Sequence, residues 1–334
     1  MTRAQGVGAR IKLICTVCFK RLILFSGAFK CSNGHTFPII NEIPRFNSFD
    51  NYAKSFGIQW KHFSKTQLDS YTNTSYSHQR LERICGPIDQ FQNKLVLEVG
   101  CGAGRFSEIL LKHGAELFAI DLSNAVEANN ENCKSIAKNY FIAQADVVAM
   151  PFALNSFDSI ICLGMIQHTP NPLETLQSLN KHLKPGGTIF VDFYSDKYPS
   201  TLSRKFLRSF LRIVHSRYKL ALVKGIVFLI WPIHQIFHVF IDSEIFTSNR
   251  FIRALYYTLL KLSPAVDHKI AYGELTSSIL KQWAILDTHD TLTDRYKHLN
   301  SKRSAQALLR SAGFTQVKVN LGGNGLESRA VKPR

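Results

Sequence analysis

Residues Val96 to Phe106, VLEVGCGAGRF, carry an apolar run straight into a glycine-rich turn, and the amphipathic FSEILLKHG follows. That order predicts a strand, a tight loop and a helix whose first backbone N–H groups face whatever the loop holds. A lone acid closes the next apolar run, in FAIDLS at Asp121, placed to accept from the hydroxyls of a ribose. The loop therefore predicts a nucleoside-bearing ligand. A dinucleotide fingerprint wants G-x-G-x-x-G, whose third glycine permits close helix–strand contact around a pyrophosphate. Here the run is Gly100-Cys101-Gly102-Ala103-Gly104-Arg105, preceded by Glu98, and its spacing argues against a nicotinamide or flavin.

From Lys94 to about Ser195 short apolar runs alternate with amphipathic segments: KLVLEVG, FSEILLKHG, AELFAIDLS, AVEANNENCKSIAK, YFIAQAD, FDSIICLG, LETLQSLNKHLKPGG and TIFVDFYS. This rhythm predicts an α/β fold with a parallel, doubly wound, Rossmann-like sheet. It stops around Pro199, and strand-like alternation returns only at FTQVKVNL, Phe314 to Leu321. An insertion of that length is too long for a structureless loop, so it reads as helical. The expected division is a cysteine-containing unit at 1–45, a helical lid or linker at 46–93, a sheet core at 94–198 and 286–334, and a helical cap at 199–285.

Residues Lys94 to Lys197 resemble the class I S-adenosylmethionine-dependent methyltransferases, in which the glycine loop lies against the methionine part and ribose of the cofactor. The resemblance implies that Glu98, Gly100, Cys101, Gly102, Gly104 and Arg105 frame S-adenosylmethionine. It further implies that Asp121, with Leu122 and Ser123 beside it, binds the ribose hydroxyls. Asp146 matches the acid near the adenine amino group, Val147 flanks the ring, and Leu163 ends the fourth strand at the same site. The stretch SFGIQWKHFSKTQLDS is similar to a segment of bacterial methyltransferases that carry an N-terminal zinc knuckle.

Methyl transfer from a sulfonium is an in-line displacement that needs positioning, and proton removal when the nucleophile is a hydroxyl or amine. His168, just past the fourth strand, is the first candidate base. His289 is the second, with Asp287, Asp290 and Tyr296 nearby to orient it or line a pocket. Packing and helix capping are the plainer alternatives for both. Tyr52, Phe56, Trp60 and Tyr71 form either an aromatic lid or one packed helix face, readings that are compatible.

Cys15-x2-Cys18 and Cys31-x3-His35 present four ligands in two short knuckles, a pattern that suits tetrahedral zinc. All four positions are used, so the site reads as structural. The other cysteines are scattered, which fits a reducing compartment and a cytoplasmic protein. No signal peptide is expected at the N-terminus.

The formal charge of +17 favours an anionic partner. Lys197 to Gly225 is basic without a single acid, and IVFLIWPIHQIFHVFI follows. That run is shorter than the roughly twenty residues of a spanning helix and contains Pro232, so no transmembrane segment is expected. Two readings remain: a cap covering a pocket or dimer interface, or peripheral contact with an anionic membrane surface through Phe228, Trp231 and Phe237. A small or lipid-like acceptor is the leading substrate class. RNA base methylation and a non-catalytic cofactor-binding scaffold are the alternatives.

Overall fold

The computed structural model describes residues 11–47, 51–136, 139–198, 201–323 and 325–334. They divide into two compact units, one of Met1–Ser64, Ser77–Tyr198 and Tyr296–Arg334, the other of Lys65–Tyr76 and Pro199–Arg295.

The first unit holds two sheets. Strands β1 (Leu22–Phe25), β2 (Ala28–Cys31), β3 (Thr36–Ile40) and β4 (Ile43–Pro44) pair in sequence order. The larger sheet contains β5 (Leu95–Val99), β6 (Glu116–Asp121), β7 (Tyr140–Gln144), β8 (Phe157–Cys162), β9 (Leu183–Ser195), β10 (Leu299–Asn300), β11 (Thr315–Gly322) and β12 (Gly325–Val331). Its order is β11-β12-β9-β8-β5-β6-β7, with β10 paired to β9 off that path. The strands from β9 to β7 are parallel, while β12 runs antiparallel to both β9 and β11. Helices α1 (Lys54–His62), α3 (Tyr76–Cys85), α4 (Ser107–Lys112), α5 (Ala125–Cys133), α6 (Pro172–His182) and α12 (Lys302–Ser311) belong to this unit; short α2 (Asp69–Thr72) belongs to the other. The doubly wound α/β fold is the one expected.

Strands buried on both faces read as continuous apolar runs, and Leu117, Ala119 and Ile120 in β6 have no exposure at all. Phe118, Phe141, Phe152 and Phe157 pack against one another in mostly edge-on pairs with centroids 5.3–5.9 Å apart. Successive connections from β5 lead to β6 on one side, whereas β8 pairs on its other side. This reversal falls at the carboxyl ends of β5 and β8, the place where open α/β sheets take ligands.

The cysteine-containing segment is built into this unit. Ile14 N–H donates to the Pro151 carbonyl at 3.0 Å and Phe46 N–H to the Gln144 carbonyl at 2.8 Å. Leu13, Phe29, Phe37 and Phe46 join the core cluster that contains Phe118 and Phe152. A four-stranded sheet this small has too little core of its own, and its apolar face is covered by β7 and the β7–β8 connection.

The second unit is helical: α7 (Leu202–Ile213), α8 (Ser216–Ile241), α9 (Glu244–Ser248), α10 (Arg250–Leu262) and α11 (Ser277–Thr293). Leu211, Val223, Val227, Trp231, Leu280, Trp283 and Leu292 form its core. The Trp283 indole donates to the Thr66 carbonyl at 2.7 Å, which ties in the segment from Lys65. Because α11 runs unbroken through residue 285, the insertion ends at Arg295 rather than at the boundary read from the sequence.

Helix α8 corrects two further expectations. It spans 26 residues, beginning well before the apolar run and passing through Pro232, and by length and composition it could cross a membrane. Its length therefore does not exclude a membrane span. Trp231 does not face outward either: it is 1% exposed, stacked on His234 in the unit's core.

Candidate active site

After β5 the chain turns through Gly100, Gly102 and Gly104 with φ of 71°, 50° and 97°. Glycine is required most strictly at Gly100, where a Cβ would lie 2.6 Å from Met165 Cγ on left-handed backbone. The loop is held by buried polar groups. Asn129 Nδ2 donates to the Cys101 carbonyl at 3.3 Å and to Ser107 Oγ at 2.9 Å, and Ser107 Oγ donates to Glu98 Oε2 at 2.5 Å. Burial pushes the Glu98 carboxyl up to about 8 against the opposing Ser107 bond. Glu98 thus holds the loop from within the core. Burial also raises the Cys101 thiol far above its usual range, which keeps it from acting as a thiolate. Arg105 points its Nε to Ser77 Oγ at 2.8 Å, joining the loop to α3.

Asp121 ends β6 half-buried. Its Oδ2 accepts from Gly102 N–H at 3.0 Å, and Oδ1 accepts from the Ser123 N–H at 2.8 Å and hydroxyl at 2.7 Å. Burial raises its pKa, opposed by those bonds. The Leu122 carbonyl accepts from Asn51 and Gln144, fixing the turn behind the acid. Asp146 follows β7, half-buried, with Oδ1 accepting from Val148 N–H at 3.1 Å; Val147 beside it is buried. The Tyr52 hydroxyl feels both acids: burial first, then the charges of Asp146 and Asp121, push its pKa far up. Among the described residues neither acid forms an ion pair, so both remain suited to neutral hydroxyl and amine donors.

Helix α1 lies over these strand ends. A Cβ on Gly102 would meet the Trp60 ring at 3.3 Å, and one on Gly57 would meet the Asn124 nitrogen at 3.3 Å. Phe56 packs on His168 with centroids 5.3 Å apart, and Tyr52 meets Tyr296 edge-on at 5.6 Å. Phe56 and Trp60 thus pack as one side of α1, with Tyr52 just before it, whereas Tyr71 is exposed and belongs to the helical unit.

His168 is buried in the loop after β8, its ring edge-on to Tyr194 at 5.4 Å. Its Nδ1 faces the Tyr296 carbonyl at 3.2 Å. That bond puts the proton of the neutral ring on Nδ1 and makes Nε2 the acceptor nitrogen. Leu163, buried, precedes a turn pinned by Asp192, which accepts from Gly164 N–H at 2.6 Å and from Arg80 Nη2 at 2.5 Å. Asp192, Arg80, Ser107, Asn129 and Met165 were not anticipated. Asp192 is the one of these with a sequence signal, an acid inside the otherwise apolar strand TIFVDFYS.

His289 is placed elsewhere. It lies on α11 inside the helical unit, 1% exposed, where burial and then the Lys219 charge push it down to about 4. Asp287 pairs with His268 at 2.5 Å, while Tyr296 belongs to the sheet unit with Tyr52 and His168. Asp287 does not orient His289 as expected: two positions apart on α11, their side chains leave different faces of the helix, and Asp287 goes to His268.

The Cys15, Cys18, Cys31 and His35 ligand atoms lie within 4.8 Å of one another. Cys18 Sγ is 3.6 Å from Cys31 Sγ, and His35 Nδ1 is 3.5 Å from Cys15 Sγ and 3.3 Å from Cys31 Sγ. Tetrahedral zinc at ordinary bond lengths would have edges of about 3.5–3.8 Å. Both knuckles are closed by backbone bonds, Phe19 N–H to the Cys15 carbonyl and Gly34 N–H to the Cys31 carbonyl. The cluster could bind a structural metal.

Residues 97–191 match the family model described as a methyltransferase domain. Ubiquinone biosynthesis O-methyltransferase of Coxiella burnetii is 31% identical over 130 residues, covering 38% of this chain and 51% of its own. Its counterpart in Azoarcus sp. is 33% identical over 133 residues, 39% of this chain and 53% of its own. The chain spans about half the length of the curated relatives it matches. Among solved structures, phosphoethanolamine N-methyltransferase 2 of Haemonchus contortus aligns at a TM-score of 0.47 with 12% identity, over 90% of this chain and 62% of that one. The sheet unit has the class I methyltransferase-like Rossmann fold.

Proposed function

We propose that this chain is an S-adenosylmethionine-dependent methyltransferase acting on a hydroxyl of a small or lipid-like acceptor. The observation that carries the reading is the convergence of the glycine loop, Asp121, Asp146 and Tyr52 at the carboxyl ends of β5 to β7. Two acids that form no ion pair among the described residues, beside a loop where a Cβ at Gly100 would strike Met165, fit a ligand bearing ribose hydroxyls and an adenine amine. When bound, S-adenosylmethionine supplies an electrophilic methyl group. Asp121 would accept from the ribose hydroxyls with lone pairs not taken by Gly102 and Ser123, and Asp146 would accept from the adenine amine. His168 Nε2 would take the proton of the acceptor hydroxyl, with the Tyr296 carbonyl stabilising the imidazolium through Nδ1–H. The names of the curated relatives support an oxygen target.

Isotope-labelled methyl transfer to separated lipid, small-metabolite and RNA pools tests the acceptor, and calorimetry tests cofactor binding. Label in the first two pools is expected. Label confined to RNA would replace the acceptor class, and absence of S-adenosylmethionine binding would overturn the reading in favour of a scaffold.

The Cys15, Cys18, Cys31 and His35 cluster is proposed to hold one structural zinc ion, as its donor set and spacings support. Elemental analysis should give one zinc per chain, absent after Cys15→Ser with Cys18→Ser; metal-free wild-type protein would end this proposal.

A further inference from the structure

The helical unit presents an apolar surface that methyl transfer by the sheet unit does not require. On α7, Leu202, Phe206 and Phe210 recur at i, i+4 and i+8, joined by Ile213, and all four are exposed, Phe206 by 76% and Ile213 by 83%. The opposite side of α7 buries Leu211 and Arg204, whose guanidinium donates to the Pro264 and Ala265 carbonyls at 3.2 and 2.8 Å. This amphipathic helix therefore turns its apolar stripe outward.

Helix α8 repeats the arrangement. Leu220, Val223, Val227, Trp231, His234 and His238 face the unit's interior, while Phe228, Leu229, Ile233, Ile236 and Val239 are exposed. On α10, Tyr256 is buried and Phe251, Leu255 and Leu262 are exposed. Single exposed leucines are ordinary, but ridges on three helices mark a surface that meets an apolar partner.

Charge identifies the partner. Residues 201–262 contain ten Lys and Arg against Asp242 and Glu244 alone. Exposed Lys205 and Arg212 alternate with the apolar stripe of α7. A second copy would bring like charges together, and RNA, although its bases can stack on phenylalanine, would leave the exposed Leu202, Ile213, Leu229, Ile233 and Ile236 without an apolar partner. An anionic bilayer satisfies both properties, with apolar side chains among the acyl chains and cations at the headgroups. We propose that α7, α8 and α10 form a surface that docks in the plane of an anionic lipid membrane. Although α8 is long enough to span, its inner face carries His234 and His238 on either side of Asp267, at 2.7 and 2.9 Å. Hydrocarbon on all sides would strip that network of its partners, whereas in-plane docking leaves it inside the protein.

The test uses the full chain and reads no activity, so it stands or falls apart from the methyl-transfer proposal. Flotation is measured with vesicles of phosphatidylcholine alone and with about one third phosphatidylglycerol added. The chain should float with the anionic vesicles, less so in high salt, and stay down with the neutral ones. Phe206→Ser with Ile213→Ser should weaken flotation tenfold or more by removing inserted area, and Lys205→Glu with Arg212→Glu should weaken it on anionic vesicles. Unchanged circular dichroism and melting, expected at four exposed positions, show that these variants remain folded. Absence of flotation, or equal flotation of the apolar variant, overturns the proposal. So does a doubled mass by light scattering that the apolar variant abolishes, which would assign the ridges to a second copy. Resistance of the bound chain to alkaline carbonate overturns the in-plane placement in favour of spanning.

Discussion

In the sheet unit Asp121 and Asp146 stand half-exposed at strand ends, whereas the helical unit keeps the Asp267 and Asp294 carboxylates inside and turns phenylalanine and isoleucine outward. Its interior holds Arg208 Nε on Asp294 at 2.8 Å and two histidines on Asp267. The same residue type therefore has opposite work in the two units. Among the described residues Asp121 and Asp146 form no ion pair, and the proposed function gives them a ligand to receive; Asp267 already accepts from His234, His238 and the Lys269 N–H, and Asp294 from Arg208, so these two hold helices together. Burial alone does not separate these cases, but the identity of the partners does.

Removing a saturated acid should cost the most. Asp267→Ala leaves two buried imidazoles without their common acceptor and should destabilise the helical unit by about 3–5 kcal/mol, seen as faster amide exchange in α8. Burial acts to raise the Asp267 carboxyl, but bonds from His234, His238 and Lys269 N–H overcome it and hold it well below the usual range. Its contribution is accordingly complete above pH 3.8 and lost as acid protonates the folded state. Unchanged exchange in α8 would erase the contrast between the units.

Next comes Gly100→Ala. Its Cβ would meet both Met165 Cγ and Cβ, at 2.6 and 2.7 Å, so the loop or Met165 must move. A loss of about 1–3 kcal/mol from the sheet unit, together with loss of S-adenosylmethionine binding, is expected by thermal melting and calorimetry. Asp121→Asn should do the reverse of Asp267→Ala: little change in melting, but S-adenosylmethionine affinity down roughly tenfold to a hundredfold, the worth of hydrogen bonds to a charge. Wild-type affinity in this variant would remove Asp121 from the ligand.

These contrasts also mark what could be read from the chain. The glycine loop, Asp121 and Asp146 were legible because turn chemistry and strand ends are local, and each falls within a few residues of its signal. Their supports were not. Asn129 reaches Cys101 from another helix, and Arg80 meets Asp192 across 112 positions, so no periodicity records them. Helix α8 defeated the reading differently: Lys219, Lys224 and Gly225 interrupt the apolar run, yet all are tolerated on a helix that continues through them. Amphipathicity shows that α7 has an apolar stripe, but only packing decides that Arg204 turns inward and Phe206 outward.

The smallest effect is a slope. Glu98 has an ordinary value of 4.5 and is pushed up to about 8 mainly by burial, with the Ser107 bond opposing and the Asp121 charge adding. Between these values the unfolded chain releases the proton and the folded chain keeps it, so stability must fall as pH rises, by about 1.4 kcal/mol per pH unit at most. The contribution is fully present below pH 4.5 and is lost by about pH 8. Glu98→Gln retains an oxygen for Ser107 and has no proton to hold, so its melting temperature should decline less over this range. The two proteins should differ little at pH 4.5 and diverge steadily to pH 8, with Glu98→Gln the more stable. Because Asp267 titrates only in acid, the difference isolates the sheet unit; parallel curves would mean that Glu98 is ionised in the core and that the loop rests on a charge.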